Sequence, residues 1–401
     1  MLFNEVIGHE KTKDDLVQMV ASDRLSHALL LLGPEGTGGL PLALAFANYI
    51  LCLPSTQQGG GGLFGDAAPP PQLPQTFAAA DEWMQKQPAY QKASAALHPD
   101  LHYTYPVVPR KSGDKPVSTD YIEEWREFIK TYPYGNVYDW LQAIGAENKQ
   151  GNITAAECND INRKLSLKTF ESEYKVLVLW MAEYLGKEGN KLLKLIEEPP
   201  PGTVFLLVAE NEAALLPTII SRCQVVRLPP LSTPAVTDAL VKRSGMTQQG
   251  AEVLAASSGG NYREALHLLQ HSDEDFNALL REWLNATVRG NPFAQQKSID
   301  DLSRLGREPQ KQVLKLFLHL IELALRTWAL PAGAAHLGAT EADFASRLNK
   351  VMSAERLAAA AEELEKAIYY VERNANGKML FTALTIKLRH IIKNGVVPQV
   401  Q

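Results

Sequence analysis

The chain has 401 residues, of which 45% are hydrophobic and 21% charged, and its 40 basic and 45 acidic side chains leave a net charge of −5. That length holds two or three domains, and the composition is that of an ordinary globular protein. The acidic balance speaks against a chain whose main work is to coat nucleic acid, and no apolar run approaches the ~20 residues that cross a bilayer.

In chain order, Met1-Leu2-Phe3-Asn4-Glu5 lacks the basic region and apolar core of a signal peptide. A helix is predicted over 11–22. Ala28-Leu29-Leu30-Leu31-Leu32 then reads as a buried strand and 42–47 as helix. Between them lies Gly33-Pro34-Glu35-Gly36-Thr37-Gly38-Gly39-Leu40. Strand, glycine-rich turn and helix form the setting of a phosphate-binding P-loop, which ends in Gly-Lys-Ser/Thr. Here Gly39 holds the lysine position and Leu40 the position of the magnesium-binding hydroxyl. The N–H groups of residues 36–39 could hold a nucleotide loosely, but efficient hydrolysis is not expected. The plainer reading is a tight strand-to-helix turn.

Residues 54–75 break the pattern, with ten Gly or Pro among 22 positions. Such a segment buries too little apolar surface to offset its ordering entropy and reads as a mobile insertion; 77–97 reads as partly helical. Further strands are predicted at 101–107, 175–179, 203–208 and 224–228, and helices at 120–132, 156–165 and 187–198. The alternation predicts a parallel sheet covered by helices. Tyr121, Trp125, Phe128 and Ile129 share one helical face and are predicted core. His98 and His102 read as satisfied structural histidines.

A hydrolysing P-loop protein also needs acidic residues at the end of a second strand, to hold magnesium and orient water. The strand Val176-Leu177-Val178-Leu179 runs instead into Trp180-Met181-Ala182-Glu183. Both acidic positions are apolar, and Glu183, two residues late, is expected to cap or flank a turn. Glu197-Glu198 precedes three prolines and reads as a solvated or helix-orienting face rather than an acid–base pair. In Ser221-Arg222-Cys223, the residues alone leave two readings open. One is a cation favoured at a helix C-terminus. The other is an arginine finger offered to a neighbouring subunit's ATP, which is worth ~10³–10⁵ in rate.

After Pro229-Pro230 the strands stop. Short helices are predicted at 236–243, 248–256 and 262–269, and from 273 onward the period is helical throughout. In 311–330, Val313, Leu314, Leu316, Phe317, Leu320, Ile321 and Leu323 surround much of the helix and are predicted buried. With 354–374 and 380–393 they form a predicted bundle of about 120 residues. The three cysteines, Cys52, Cys158 and Cys223, form no Cys-x-x-Cys pair. A disulfide framework is not expected, and a reducing cytoplasm is the natural setting.

Several of these segments occur together in a telling order. They are Val6-Ile7-Gly8-His9, Leu25-Ser26-His27-Ala28-Leu29-Leu30, Gly33-Pro34-Glu35-Gly36 and His98-Pro99-Asp100-Leu101. Asn190-Lys191-Leu192-Leu193-Lys194-Leu195-Ile196-Glu197-Glu198-Pro199-Pro200 and Leu216-Pro217-Thr218-Ile219-Ile220-Ser221-Arg222-Cys223 follow. The ordered set resembles the delta-prime family of bacterial DNA polymerase III clamp-loader subunits over most of residues 1–270; beyond that the likeness rests on helical character. The resemblance implies an AAA+ fold, α/β followed by all-α. Its parts would be a RecA-like parallel-sheet domain at 1–228 with an insertion near 53–97, a small helical lid at 229–272 and a helical collar at 273–401.

The resemblance further implies a non-hydrolysing stator within a ring of ATPase subunits, called tau or gamma, and a delta subunit. That ring opens the beta sliding clamp and places it around primer-template DNA. Arg222 matches the arginine that such subunits donate in trans, with Ser221 and Cys223 beside it. Arg263, in Gly259-Gly260-Asn261-Tyr262-Arg263-Glu264-Ala265-Leu266, matches the lid arginine called sensor 2 and is expected to fix the lid to the α/β domain. Gly33, Gly36, Gly38 and Gly39 make up a degenerate loop, so no cofactor is expected. Many relatives carry a four-cysteine zinc module after the P-loop helix. Only Cys52 stands in that region here, and a closed zinc site needs four ligands, so no metal is expected. Two rivals remain: a tau/gamma-type ATPase with a degenerate site, and a freestanding DNA-binding AAA+ protein, which the acidic balance weakens.

Overall fold

The computed structural model describes residues 1–54, 72–111, 113–147, 149–270, 276–329, 339–373 and 375–394. Most of the Gly/Pro-rich insertion, residues 55–71, lies outside them. Two compact units emerge, Met1–His271 and Ser272–Gln401.

In the first unit the apolar runs pair side by side. The strands are Ala28–Leu32 (β1), Leu101–Thr104 (β2), Lys175–Trp180 (β3), Thr203–Ala209 (β4) and Gln224–Arg227 (β5). They form one parallel sheet in the order β2-β3-β4-β1-β5. β1, β3 and β4 are buried along their whole length, which a parallel sheet covered on both faces requires. Side chains alternate between two cores: Leu29, Leu31, Val176, Val178 and Leu206 meet one layer, and Leu30, Leu32, Leu177, Leu179 and Leu207 meet the other. Helix Gly39–Leu51 is buried from Leu40 to its end. Each of its leucines is worth roughly 1.5–3 kcal/mol of burial.

Three predicted elements need correction. β2 ends at Thr104 rather than 107, because Tyr105 turns its N–H to Ser118 Oγ (3.0 Å) and Pro106 has none to give the ladder. The helix expected at 187–198 is a 3₁₀ segment, Ala182–Leu192, broken at Gly186 (φ 47°), and then a short helix, Leu193–Glu197. His98 is only half satisfied: its Nδ1 accepts from the Asp100 N–H (3.2 Å), while its buried Nε2 has no partner. His102 is half-buried, and burial pushes its ring down to about 4, so it is neutral near pH 7.

Helix Ile122–Thr131 and an unpredicted helix, Val137–Ala143, build an aromatic cluster. Trp125 stacks on Tyr105 with ring centres 4.0 Å apart and lies 5.4 Å from Trp140 and 5.2 Å from Trp180. Trp140 Nε1 donates to the Pro106 carbonyl (2.7 Å), which fixes the second helix. Helices Thr233–Ser244, Gln248–Ser257 and Tyr262–Gln270 follow the sheet. The first two are capped by Ser232 and Thr247, a contribution of typically ~1 kcal/mol each. Their small core of Val236, Leu240, Ala251, Ala255 and Ala265 also takes in Ile7 and Tyr134.

The second unit is helical: Phe276–Arg289, Pro292–Arg304, Arg307–Ala329, Ala339–Val351, Ala354–Glu372 and Gly377–Asn394. Its core gathers around Trp283, Phe317 and Phe381. Trp283 Nε1 donates to Thr385 Oγ1 at 2.8 Å. Of the predicted face, Leu316 is only partly buried and the other six residues are buried. Among the described residues no helix is long and apolar enough to cross a membrane.

Candidate functional site

The glycine-rich loop leaves β1 through Gly33, whose N–H donates to the Ala209 carbonyl (3.2 Å). Residues from distant parts of the chain then pack against the loop. Gly36 (φ 72°) sits so close to Asn261 that an added Cβ would fall 1.8 Å from its Oδ1, and the Gly36 carbonyl accepts the Tyr262 N–H (3.1 Å). Gly38 (φ 97°) packs under the Tyr134 ring, which would meet a Cβ at 3.0 Å. Tyr134 is held in turn by the Ile7 N–H, which donates to its hydroxyl at 2.7 Å. The cavity left over Gly38, Leu40, Tyr134 and Trp180 measures about 20 Å³. That is room for one water, whereas small-molecule sites run to ~300 Å³ or more.

Arg263 bolts the segment after Gly260 onto this loop. Its Nε and Nη2 fork onto Asp139 Oδ2 and Oδ1 at 2.5 and 2.8 Å, and Nη1 donates to Glu35 Oε1 at 3.1 Å. Glu35 also accepts from Asn136 Nδ2 (2.9 Å) and Asn261 Nδ2 (3.3 Å). Burial raises the Asp139 carboxyl, but hydrogen bonds from Arg263 and His267 outweigh it and hold the group well below the usual carboxylate range. The fork-to-carboxylate geometry is the strong, directional form of an ion pair.

At the second half of a magnesium site, Trp180 and Met181 are buried, each 2% exposed. Glu183 accepts the N–H groups of Glu210 (2.9 Å) and Asn211 (3.3 Å) just past β4. It thus flanks that turn, and burial pushes its carboxyl up. Among the described residues no cluster of His, Cys, Asp or Glu is gathered to hold a metal. Cys52 is buried, with its thiol pushed up to about 12 by that burial.

Arg222 lies elsewhere, one residue past the C-cap of the short helix Pro217–Ile220 and two before β5. It is 31% exposed. Its Nε donates to Glu197 Oε2 (3.1 Å) and its Nη1 to the Thr218 carbonyl (3.0 Å). Glu197 is thus not a purely solvated face: one oxygen holds the arginine. Ser221 Oγ donates to the same Thr218 carbonyl (3.2 Å), and Cys223 is half-buried.

The structure therefore brings Gly33, Gly36, Gly38, Gly39 and Arg263 into one neighbourhood and leaves Arg222 apart. Sequence reasoning missed Glu35, Tyr134, Asn136, Asp139 and Glu197. Asn136 and Asp139 form a reciprocal capping box, Asn136 Oδ1 on the Asp139 N–H and Asp139 Oδ2 on the Asn136 N–H. That spacing is a readable helix-start signal, although the tie to Arg263 is not.

The strand order, the glycine loop after β1 and the helices that follow the sheet make up a RecA-like parallel α/β arrangement, with Gly39 and Leu40 opening the helix after the loop and buried Trp180 and Met181 at the end of β3. Residues 78–232 match the family described as DNA polymerase III, delta subunit. The chain is 26% identical over 259 residues to DNA polymerase III subunit delta' of Bacillus subtilis (strain 168), covering 64% of this chain and 58% of that protein. It is 33% identical over 136 residues to the Haemophilus influenzae subunit delta', covering 33% and 42%. It is 23% identical over 276 residues to B. subtilis subunit tau, covering 67% and 37%. The chain thus spans from 37% to 58% of the length of these relatives. On this footing it resembles the delta-prime subunit of the DNA polymerase III clamp loader.

Proposed function

We propose that the chain is the non-hydrolysing stator subunit of a replicative clamp loader. It donates Arg222 in trans to the ATP of a neighbouring tau/gamma-type subunit while the beta sliding clamp is loaded onto primer-template DNA. A delta subunit completes the ring, and the work is cytoplasmic. The parts would be the sheet domain at 1–228, the lid at 229–272 and the collar at 273–401.

One contrast carries the reading. The pocket beside the chain's glycine loop holds only about 20 Å³, whereas Arg222 stays accessible beside Ser221 and Cys223. An exposed guanidinium adds little to its own chain's stability, but it stabilises the charge that develops on a transferring phosphoryl group. The lid bolt at Arg263 suits a part that stays rigid while its neighbours move.

The test is Arg222→Ala in a complex reconstituted with the ATPase and delta subunits, with clamp and primed DNA saturating. Assembly should persist, and hydrolysis at the site that receives the arginine should fall by roughly 10³-fold or more. An unchanged rate overturns the reading. Micromolar, magnesium-dependent ATP binding by the purified chain would favour a tau/gamma-type ATPase with a degenerate site instead.

A further inference from the structure

We infer that Glu197 is a positioning residue for Arg222, holding it so that the far end of the guanidinium, at Nη2, faces a neighbouring subunit's nucleoside triphosphate; this rests on the finger reading above. The two residues are brought together by local chain geometry. Glu197 is the last residue of Leu193–Glu197, and Arg222 follows the end of Pro217–Ile220.

A guanidinium has five N–H donors in one plane. Two are engaged on this chain's own side: Nε on Glu197 Oε2 and Nη1 on the Thr218 carbonyl. Bonds at these two atoms fix both the direction of the side chain and the tilt of its plane. Among the described residues Nη2 has no partner. The Thr218 carbonyl is itself held by Ser221 Oγ, so the serine beside the arginine belongs to the same support.

Glu197 is 57% exposed and Arg222 31%, and an ion pair that open contributes little to folding stability. Its content is orientation. The carboxylate takes the Nε N–H and leaves the Nη2 nitrogen at the far end of the guanidinium without a bond, and solvent screens its charge. An arginine without that support would spread over many rotamers and reach an incoming γ-phosphate less often, which is a loss of positioning rather than of charge.

The experiment measures steady-state ATP hydrolysis by the reconstituted complex with Glu197→Ala, Glu197→Gln, Arg222→Ala and the double variant. Glu197→Ala should lower kcat about threefold to fivefold, the size that an exposed pair can supply, with KM for ATP unchanged. Glu197→Gln keeps an oxygen that can accept from Nε and should recover most of the rate. The double variant should match Arg222→Ala alone. If Arg222→Ala impairs hydrolysis while Glu197→Ala leaves kcat unchanged or raises it, the positioning role is overturned and the finger reading stands. A fall with Glu197→Ala that persists in the Arg222→Ala background also overturns it. If Arg222→Ala itself changes nothing, both readings fail together.

Discussion

Arg263 and Arg222 occupy two regions built on opposite terms. Where helix Tyr262–Gln270 meets the glycine loop, Arg263 is 3% exposed and divides its guanidinium between Asp139 and Glu35. Just before β5, Arg222 is 31% exposed and meets one carboxylate that is itself 57% exposed. Burial with full polar satisfaction turns the first arginine into a structural bolt. Partial exposure with donors to spare leaves the second available to another molecule. The same side chain thus serves two ends, and its surroundings decide which.

The comparison breaks most easily at the buried end. Arg263→Leu takes the guanidinium away from the Asp139 and Glu35 carboxylates, and breaking a buried pair from one side typically costs about 3–5 kcal/mol. Urea unfolding of the full chain should show that loss; a change under 1 kcal/mol would mean the bolt is not a structural one. A smaller effect concerns acid. Because the folded-state carboxyl of Asp139 is depressed, its contribution to stability is present above the ordinary unfolded value of about 4 and is lost as pH falls through the folded value. Stability should therefore decline on acidification below about pH 4. Asp139→Asn, already weakened at pH 7, should decline less over the same range, and equal slopes would deny the linkage. The smallest effect belongs to the open end: Arg222→Ala should shift unfolding by no more than about 0.5 kcal/mol. A larger shift would make Arg222 a second bolt.

How much of this was legible in the sequence follows from the range of the interactions. β1, β3 and β4 are runs of consecutive apolar residues buried on both faces, and such runs read directly. The emptied lysine, hydroxyl and acid positions were readable because they lie at fixed distances from those strands. The packing against the loop was not. Tyr134 touches Ile7 across 127 positions, and Arg263 meets Asp139 across 124; no local period carries such pairings. The Glu197–Arg222 bond spans 25 positions and a proline-rich turn, so the two were read separately, one as solvated and the other as a finger or a helix-end charge. The 3₁₀ turns at 187–192 escaped for a different reason: over so short a segment an apolar period does not separate three residues per turn from 3.6.

Trp180 gives the proposed loss of hydrolysis a direction. Its ring packs 5.2 Å from Trp125 and 5.7 Å from Phe128, on the strand end where a hydrolysing relative would carry an acid. Replacing an indole there by a carboxylate would open a void costing about 3–5 kcal/mol, before any metal could bind in return. Each single step back toward a motor meets that penalty first and gains nothing until several others are in place. Such packing works as a ratchet: drift away from hydrolysis is easy to accumulate, and the return path begins uphill.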